Sequence, residues 1–374
     1  MKILVTGRGH DGPDSYQPGI FELDQARALR AAGHDVRFAA VDTRSIRRRR
    51  PLGFRKYTLN ELDVYYCALP AGGKPDFFAA WAQHRAAIKI WKQMELDGWR
   101  PDIIHSHFGV GFLPLARAQG IPVVYTEHFS GANSSSPSAS ELRREKETYA
   151  LADRLICVGN SLAELIRSRS GVEVKVVPNI VDTSVFTPAP EHRREDAFYF
   201  VATGNLLPVK GFDLLLKALA ELRDGGESIY LTVIGDGPER NNLLSLTKAL
   251  GLEERVRFTG RISRREMLPF YHSADAFVLA SRAETFGVVY IEAMAAGLPV
   301  IATMCGGPED FVEETNGILI PTEDVGALVQ AMKQMIKTRE TYDSTAIAAF
   351  AREKFSPARI ASRLTAIYEE VLPC

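Results

Sequence analysis

Cysteine is scarce, with four in 374 residues, and Cys67, Cys157, Cys305 and Cys374 lie too far apart for a zinc site or a disulfide framework. A disulfide-stapled secreted module is thereby excluded, and a reducing cytoplasm is the expected home. Long apolar runs are missing as well: no segment approaches the roughly 20 apolar residues that a spanning helix needs. The opening Met1-Lys-Ile-Leu-Val-Thr-Gly7 carries too short an apolar run for a secretory signal. Any membrane contact is therefore expected to be peripheral. Net charge is nearly absent, at a formal -1 from 45 basic and 46 acidic side chains, and no nucleic-acid partner is expected. That balance hides an asymmetry, because residues 1–188 hold 25 basic and 20 acidic side chains while 189–374 hold 20 and 26.

What is present is an ordinary globular composition, 46% hydrophobic and 24% charged, in a chain longer than one core usually supports. Two domains follow as the expectation. Lys2–Thr6 reads as a buried strand, Phe21–Ala32 as an amphipathic helix closed by Gly33, and 34–41 as the next strand, a βαβ opening. Gly7, Gly9 and Gly12 fit G-x-G-x-x-G after that first strand. Pro13, Asp14 and Pro18 are not helical, however, and no acidic residue ends the second strand, so a dinucleotide site is rejected.

Residues 43–56 form a basic run containing Arg44, Arg47, Arg48, Arg49, Arg50, Arg55 and Lys56. A solvated loop is the ordinary reading; the functional alternative is attraction to anionic lipid headgroups or a phosphorylated acceptor. Further strands read at 63–69, 102–105, 121–126, 154–158 and 172–177, with a long helix at 77–96. His107 and His128 fall just past two of these strands, where open α/β sheets keep their ligands. A polar connection spans 131–137. Residues 187–196, with two prolines and a charged run, read as a linker across which the charge changes sign.

The second half restarts the alternation, with strands at 198–202, 229–234, 256–259, 276–279, 300–302 and 318–320. Two doubly wound domains of parallel strands are implied, 1–188 and 197–354, facing across a cleft, with 355–374 a helix that crosses back to brace the first. Around residues 276–300 the chain reads strand, loop, helix, with Gly287 about where the helix begins and its unpaired amides aimed beyond the sheet edge. Glu284 in the loop and Glu292 in the helix then share one crevice, suited to a polyhydroxylated or anionic ligand. A helix-start Glu is also favoured by the macrodipole alone, so spacing has to carry the functional reading. Lys210, beside Gly211 at another helix start, is a reasonable phosphate clamp, the alternative being a plain surface lysine.

The pattern Glu284-x-Phe286-Gly287 followed by Glu292-Ala-Met-Ala-x-Gly297-x-Pro299-Val300 resembles the signature of family 4 retaining glycosyltransferases of the GT-B fold. Gly204-x-Leu-x-Pro-x-Lys210-Gly211 is similar to that family's diphosphate loop, Pro178-Asn-x-Val-Asp182 to its interdomain signature, and Gly235-Asp-Gly-Pro-Glu239 to its next loop. The resemblance implies an α/β protein of two Rossmann-like domains, the first on the acceptor side and the second binding a nucleotide sugar. It implies that Lys210 contacts the donor diphosphate in the loop that begins at Gly204 and Asn205, with Gly235 of the next loop also at the donor site. Glu284 would meet the transferred sugar together with amides near Thr285, Phe286 and Gly287, Glu292 the ribose hydroxyls, and the backbone at Arg261 and Ile262 the base. His128 resembles the first-domain His that reaches the donor sugar.

The sequence departs from the family in two places. Asn205 stands where Arg is common, and the paired glycines of the first-domain loop appear as Pro18-Gly19, so that Gly19 alone remains for local contacts. The implied reaction is glycosyl transfer from a nucleotide sugar to the hydroxyl of a saccharide or lipid-linked acceptor, in polysaccharide or glycolipid biosynthesis, without a metal or further cofactor. A nucleotide-sugar epimerase of the same architecture is one alternative, and a non-catalytic nucleotide-sugar-binding subunit is another. A glycosidase-like carboxylate pair is rejected, since the two Glu belong to one loop and helix and are not set across a cleft.

Overall fold

The computed structural model describes residues 1–8, 20–45, 47, 51–59, 61–72, 76–107, 110–128, 138–189 and 197–372. The chain divides into two compact units, Met1–Ile180 with Pro357–Cys374, and Val181–Ser356. Along the first run β1 (Lys2–Arg8), α1 (Ile20–Ala31), β2 (Asp35–Asp42), β3 (Gly53–Leu59), β4 (Leu62–Ala68), α2 (Asp76–Leu96), β5 (Ile103–His107), α3 (Leu113–Ala118), β6 (Val123–Glu127), α4 (Ala139–Tyr149), β7 (Arg154–Cys157), α5 (Asn160–Ser170) and β8 (Val174–Val176). The second holds β9 (Phe198–Thr203), α6 (Phe212–Asp224), β10 (Ile229–Ile234), α7 (Arg240–Ala249), β11 (Val256–Gly260), α8 (Arg264–His272), β12 (Ala276–Leu279), α9 (Val288–Ala295), β13 (Val300–Thr303), β14 (Gly317–Ile320), α10 (Val325–Thr338) and α11 (Ser344–Phe355). The last helix, α12 (Pro357–Val371), belongs to the first unit.

The first sheet runs β3-β4-β2-β1-β5-β6-β7-β8, parallel except for β3. Its central strands are near-continuous apolar runs because both faces are covered: Ile3, Leu4 and Val5 of β1 are all fully buried. The basic run read as one loop over 43–56 is partly a strand. Residues from Gly53 onward pair antiparallel with β4, and the hairpin closes between Leu59 and Leu62 with Glu61 at φ 64°. Exposed Arg55 and Lys56 suit an edge strand, since charge there discourages pairing with another chain.

Helix α12 buries Ile360, Ala361, Leu364, Ile367 and Tyr368, a stripe at helical spacing that packs along α1 and joins Leu23, Ala26 and Leu29 in one core. Each such aliphatic side chain removed from water is worth about 2 kcal/mol, so packing holds the helix. Polar ties add direction: His34 Nε2 and Thr365 Oγ1 are 2.8 Å apart, and Lys175 pairs with Glu370.

The units part at 180/181 and 356/357, whereas the composition of 187–196 places the break between 188 and 197. The cause is local. The Val181 amide donates to Phe355 O at 3.0 Å, the Phe186 ring packs on Tyr271, and His272 Nε2 lies 2.7 Å from Thr187 O. Residues 181–187 are thus tied into the second unit before the prolines are reached. Positions 190–196 lie outside the described residues.

The second sheet is wholly parallel, in the order β11-β10-β9-β12-β13-β14. In chain order that is 3-2-1-4-5-6, the doubly wound arrangement whose strand order reverses between its first and fourth strands. Without its antiparallel edge, the first sheet reverses likewise between β1 and β5. The carboxyl ends of β9 and β12, and of β1 and β5, are therefore where each fold opens a crevice.

Candidate functional site

In the second unit, three loops meet at the end of β9. The chain leaves β9 through Gly204 and Asn205, makes a short 3-10 turn over Pro208–Lys210, and enters α6 through Gly211. Gly211 sits at φ 64°, and a Cβ there would fall 1.8 Å from Ala280 O, so only glycine lets this loop lie against the end of β12. Gly235 has φ 141° and the same constraint, its missing Cβ lying 1.9 Å from Gly204 O. Leu206, fully buried, takes an amide bond from Glu239 and donates to Asp236 O, lacing the two loops. Asn205 is exposed to solvent.

Lys210 and Glu284, 74 residues apart, form an ion pair with Nζ 2.6 Å from Oε1. The lysine side chain is 21% exposed and the carboxylate 8%. Ser281 Oγ donates to the same carboxylate oxygen at 2.8 Å, and the Glu284 amide donates to Cys305 O at 3.1 Å. Arg282 holds the lysine's turn from outside: its guanidinium grips both oxygens of Asp213 at 2.9 Å, and also meets Glu323 and Pro208 O. Its amide donates to Val209 O at 2.7 Å. Lys210 is thereby carried on a turn fixed at several points.

Gly287 is the N-cap of α9 at φ 92°, with the Tyr290 ring where a Cβ would need to be. The Val288 and Val289 amides that open α9 have no acceptor within the helix, whereas the Tyr290 amide donates to Gly287 O at 3.0 Å. Phe286 is buried against Phe311 and Phe355, which anchors the loop carrying Thr285. Glu292, one turn into α9 and buried, meets Arg264 with Nε 2.9 Å from Oε1. Arg264 opens α8 behind Ser263, whose capping box with Glu266 fixes the helix start. Arg261 and Ile262 link β11 to that cap, so the α8 entry and Glu292 are joined through Arg264. Burial pushes the Cys305 thiol up to about 12, and it stays protonated.

In the first unit, His128 follows β6. Its Nε2 lies 2.8 Å from Nδ1 of His107, the last residue of β5. His105 lies against His107 with ring centres 4.2 Å apart and the planes tilted by 35°, and its own nitrogens reach Tyr368 OH and Thr126 Oγ1, each at 2.6 Å. Burial lowers all three imidazoles, His105 and His128 to about 3, with nearby Arg8 adding to the effect on His107 and His128. Arg8 at the end of β1 pairs with buried Glu22 at 3.2 Å. Gly19 lies outside the described residues, as do Arg48, Arg49 and Arg50.

The second unit thus gathers Gly204, Asn205, Lys210, Gly235, Glu284, Thr285, Phe286, Gly287 and Glu292 at one sheet edge, with Arg261 and Ile262 just ahead of Arg264, the partner of Glu292; His128 belongs to the other unit. Missed in the sequence were Arg264, Ser281 and Arg282. The Ser263-x-x-Glu266 capping box could have placed Arg264 at a helix start, whereas Arg282's partners Asp213 and Glu323 lie 69 and 41 residues away and gave no local signal. Among the described residues, no group of three or more His, Cys, Asp or Glu is placed to hold a metal ion, and no helix is long and apolar enough to cross a membrane.

A family model described as Glycosyl transferases group 1 matches residues 186–352, and one described as Glycosyltransferase Family 4 matches 22–185. The chain is similar to a glycogen synthase of Mycobacterium tuberculosis, 28% identical over 269 residues, 68% of this chain and 65% of that protein. The chain therefore spans just under two thirds of that relative. It is also similar to a D-inositol 3-phosphate glycosyltransferase of Paenarthrobacter aurescens, 30% identical over 302 residues, 73% of this chain and 74% of the relative. Among solved structures, a sucrose-phosphate synthase from Thermosynechococcus elongatus superposes with a TM-score of 0.81 at 20% identity, covering 99% of this chain and 98% of the other. Anabaena HepE in complex with UDP-glucose does so with a TM-score of 0.71 at 20% identity, covering 99% and 100%. These likenesses show the fold.

Proposed function

This chain belongs to glycosyltransferase family 4, with the GT-B fold, and on that premise we propose that it transfers a glycosyl group from a nucleotide sugar to an acceptor hydroxyl with retention at the anomeric carbon. The observation that carries the reading is the pairing of Lys210 with Glu284 at 2.6 Å beside the start of α9, at the point where the strand order reverses. A fixed cation and the first two amides of α9 suit a diphosphate, and an adjacent carboxylate suits sugar hydroxyls.

In this reading the bond from the anomeric carbon to the diphosphate breaks, the acceptor oxygen bonds on the same face, and the acceptor's proton ends on the nucleoside diphosphate. Lys210 and the α9 amides stabilise the charge that gathers on the departing diphosphate. Glu284 orients the sugar, Glu292 takes the ribose hydroxyls, the 261–262 backbone meets the base, and His128 contributes a hydrogen bond to the sugar. No metal or further cofactor enters. With Asn205 in place of arginine, Lys210 carries the side-chain share of the positive charge. The acceptor is a saccharide or lipid-linked saccharide of polysaccharide or glycolipid assembly.

Incubation with a panel of nucleotide sugars and saccharide acceptors, read by mass and by the anomeric coupling of the product, tests this. A new glycoside with the donor's anomeric configuration supports it. Inversion, an epimerised donor, or bound but unchanged donor replaces it with another transferase mechanism, an epimerase or a binding subunit respectively.

Peripheral membrane contact has one specific observation in its favour. Phe78 and Trp81 are exposed, Trp81 by 58%, on the outer stripe of α2 that continues through Arg85, Lys89 and Lys92. Aromatic side chains ahead of a basic stripe suit an anionic headgroup layer. Of the basic run at 44–50, Arg44 is drawn back onto Asp42 by a 2.7 Å ion pair, while Arg47 is exposed.

A further inference from the structure

The first unit carries a pair of imidazoles whose single shared proton can be located. His105 and His107 alternate along β5 and face the same side of the sheet. Both nitrogens of His105 are occupied, by Tyr368 OH and Thr126 Oγ1. His107 therefore looks only to His128, through the 2.8 Å contact between His107 Nδ1 and His128 Nε2. Its other nitrogen, Nε2, is buried and has no hydrogen-bond partner among the described residues.

Two nitrogens at that distance hold one proton between two neutral rings. If it sat on His128 Nε2, His107 would carry its own proton on Nε2, an N–H buried without an acceptor. If it sits on His107 Nδ1, the orphaned atom is instead a bare lone pair. Buried donors without partners are the rarer and costlier case, and under-satisfied acceptors are better tolerated. Burial of both rings, with the Arg8 charge adding to it, keeps a second proton away.

We propose that His107 is a positioning residue: it donates Nδ1–H to His128 Nε2 and so fixes His128 as the tautomer protonated on Nδ1. The His128 proton then lies on Nδ1, on the side turned away from His107, and neither ring nitrogen keeps a lone pair with which to take a proton. Its role toward a sugar is to donate to an oxygen, and it does not serve as a general base for the acceptor hydroxyl. The kinetic consequence rests on the assignment of His128 to the donor sugar; the tautomer itself does not.

The test is long-range proton–nitrogen correlation NMR on the full chain labelled with 15N-histidine, with His128 assigned by difference against His128→Gln. The expected spectrum shows His128 protonated on Nδ1 with a hydrogen-bonded, unprotonated Nε2. His107→Asn, whose amide N–H can occupy the place of Nδ1–H, keeps that tautomer. His107→Asp, which can only accept, reverses it, and kcat falls at least about tenfold below that of His107→Asn with little change in donor KM. A wild-type His128 protonated on Nε2, an even mixture of tautomers, or one tautomer shared by the Asn and Asp variants overturns the proposal. Should no donor be turned over, the transferase reading fails on its own, and the spectra still decide the tautomer.

Discussion

Because Lys210 is paired with Glu284, substituting the two residues should shift diphosphate affinity in opposite directions. Removing the cation by Lys210→Ala leaves a carboxylate only 8% exposed without its partner, and leaves the diphosphate with amides alone. Loss of one preorganised charge-stabilising donor typically lowers turnover about 10²- to 10³-fold. Glu284→Gln removes the competing anion. A pair of this kind, with the lysine 21% exposed, lies near the upper end of the surface range, about 1 kcal/mol. Releasing it should tighten nucleoside diphosphate binding about fivefold, while turnover falls because the sugar has lost its carboxylate. In the Lys210→Ala background the same change should tighten nothing, since there is no longer a cation to release. Calorimetric titration with UDP, or whichever diphosphate the donor panel selects, gives the four affinities, and steady-state assay gives the four rates. Weaker diphosphate binding by Glu284→Gln, comparable to that of Lys210→Ala, would refute the reasoning.

Three further outcomes are expected. Glu292→Gln and Arg264→Gln should both raise donor KM with little loss of kcat, because a ribose contact is made equally in ground and transition states; a selective fall in kcat would count against that role. The folded first unit should lose stability as pH falls below 6.5, since buried His105 and His107 stay neutral when folded and take up protons when unfolded. Each contributes about 1 kcal/mol between pH 6.5 and 5.5, so the urea midpoint should drop over that interval and drop less in His105→Asn; a pH-independent midpoint would be inconsistent with it. Trp81→Ser with Phe78→Ser should abolish co-sedimentation with vesicles containing anionic lipid, and pelleting that persists, or that ignores lipid charge, removes α2 as the contact.

How much of this was legible in the chain depended on whether the partners are close in sequence. The alternation of apolar runs placed the strands within a residue or two, and Ile229–Ile234 and Ala276–Leu279 coincide with β10 and β12. The loops at Gly204–Gly211 and Glu284–Gly287 could be read because their glycines and charged residues sit inside one short segment. The β3 strand was hidden by its own arginine and lysine, since an edge strand needs charge and charge reads as loop. The unit boundary was misplaced because prolines mark where a chain bends, whereas the break depends on where residues 181–187 find their partners, and those lie at Tyr271, His272 and Phe355.

What no local pattern supplies is strand order, and strand order decides which loops can cooperate. Lys210 and Glu284 stand on connections after β9 and β12, three strands apart in the chain, and meet only because those strands are neighbours at the reversal of the sheet. Arg8 and His107 are placed by the same rule as the last residues of β1 and β5, with His128 brought alongside by β6. Each crevice also has a partner that orients a group of the site: Arg264 for Glu292, Ser281 for Glu284 and His107 for His128. None of the three partners carries a motif of its own, because its work is done through one contact with a neighbour and any residue type able to make that contact would serve. Arg264 and Ser281 become visible only when distances are known; His107 already stood out by its place at a strand end, and the distance adds that it acts through His128, whose tautomer is the case in which such a partner dictates what chemistry its neighbour can do.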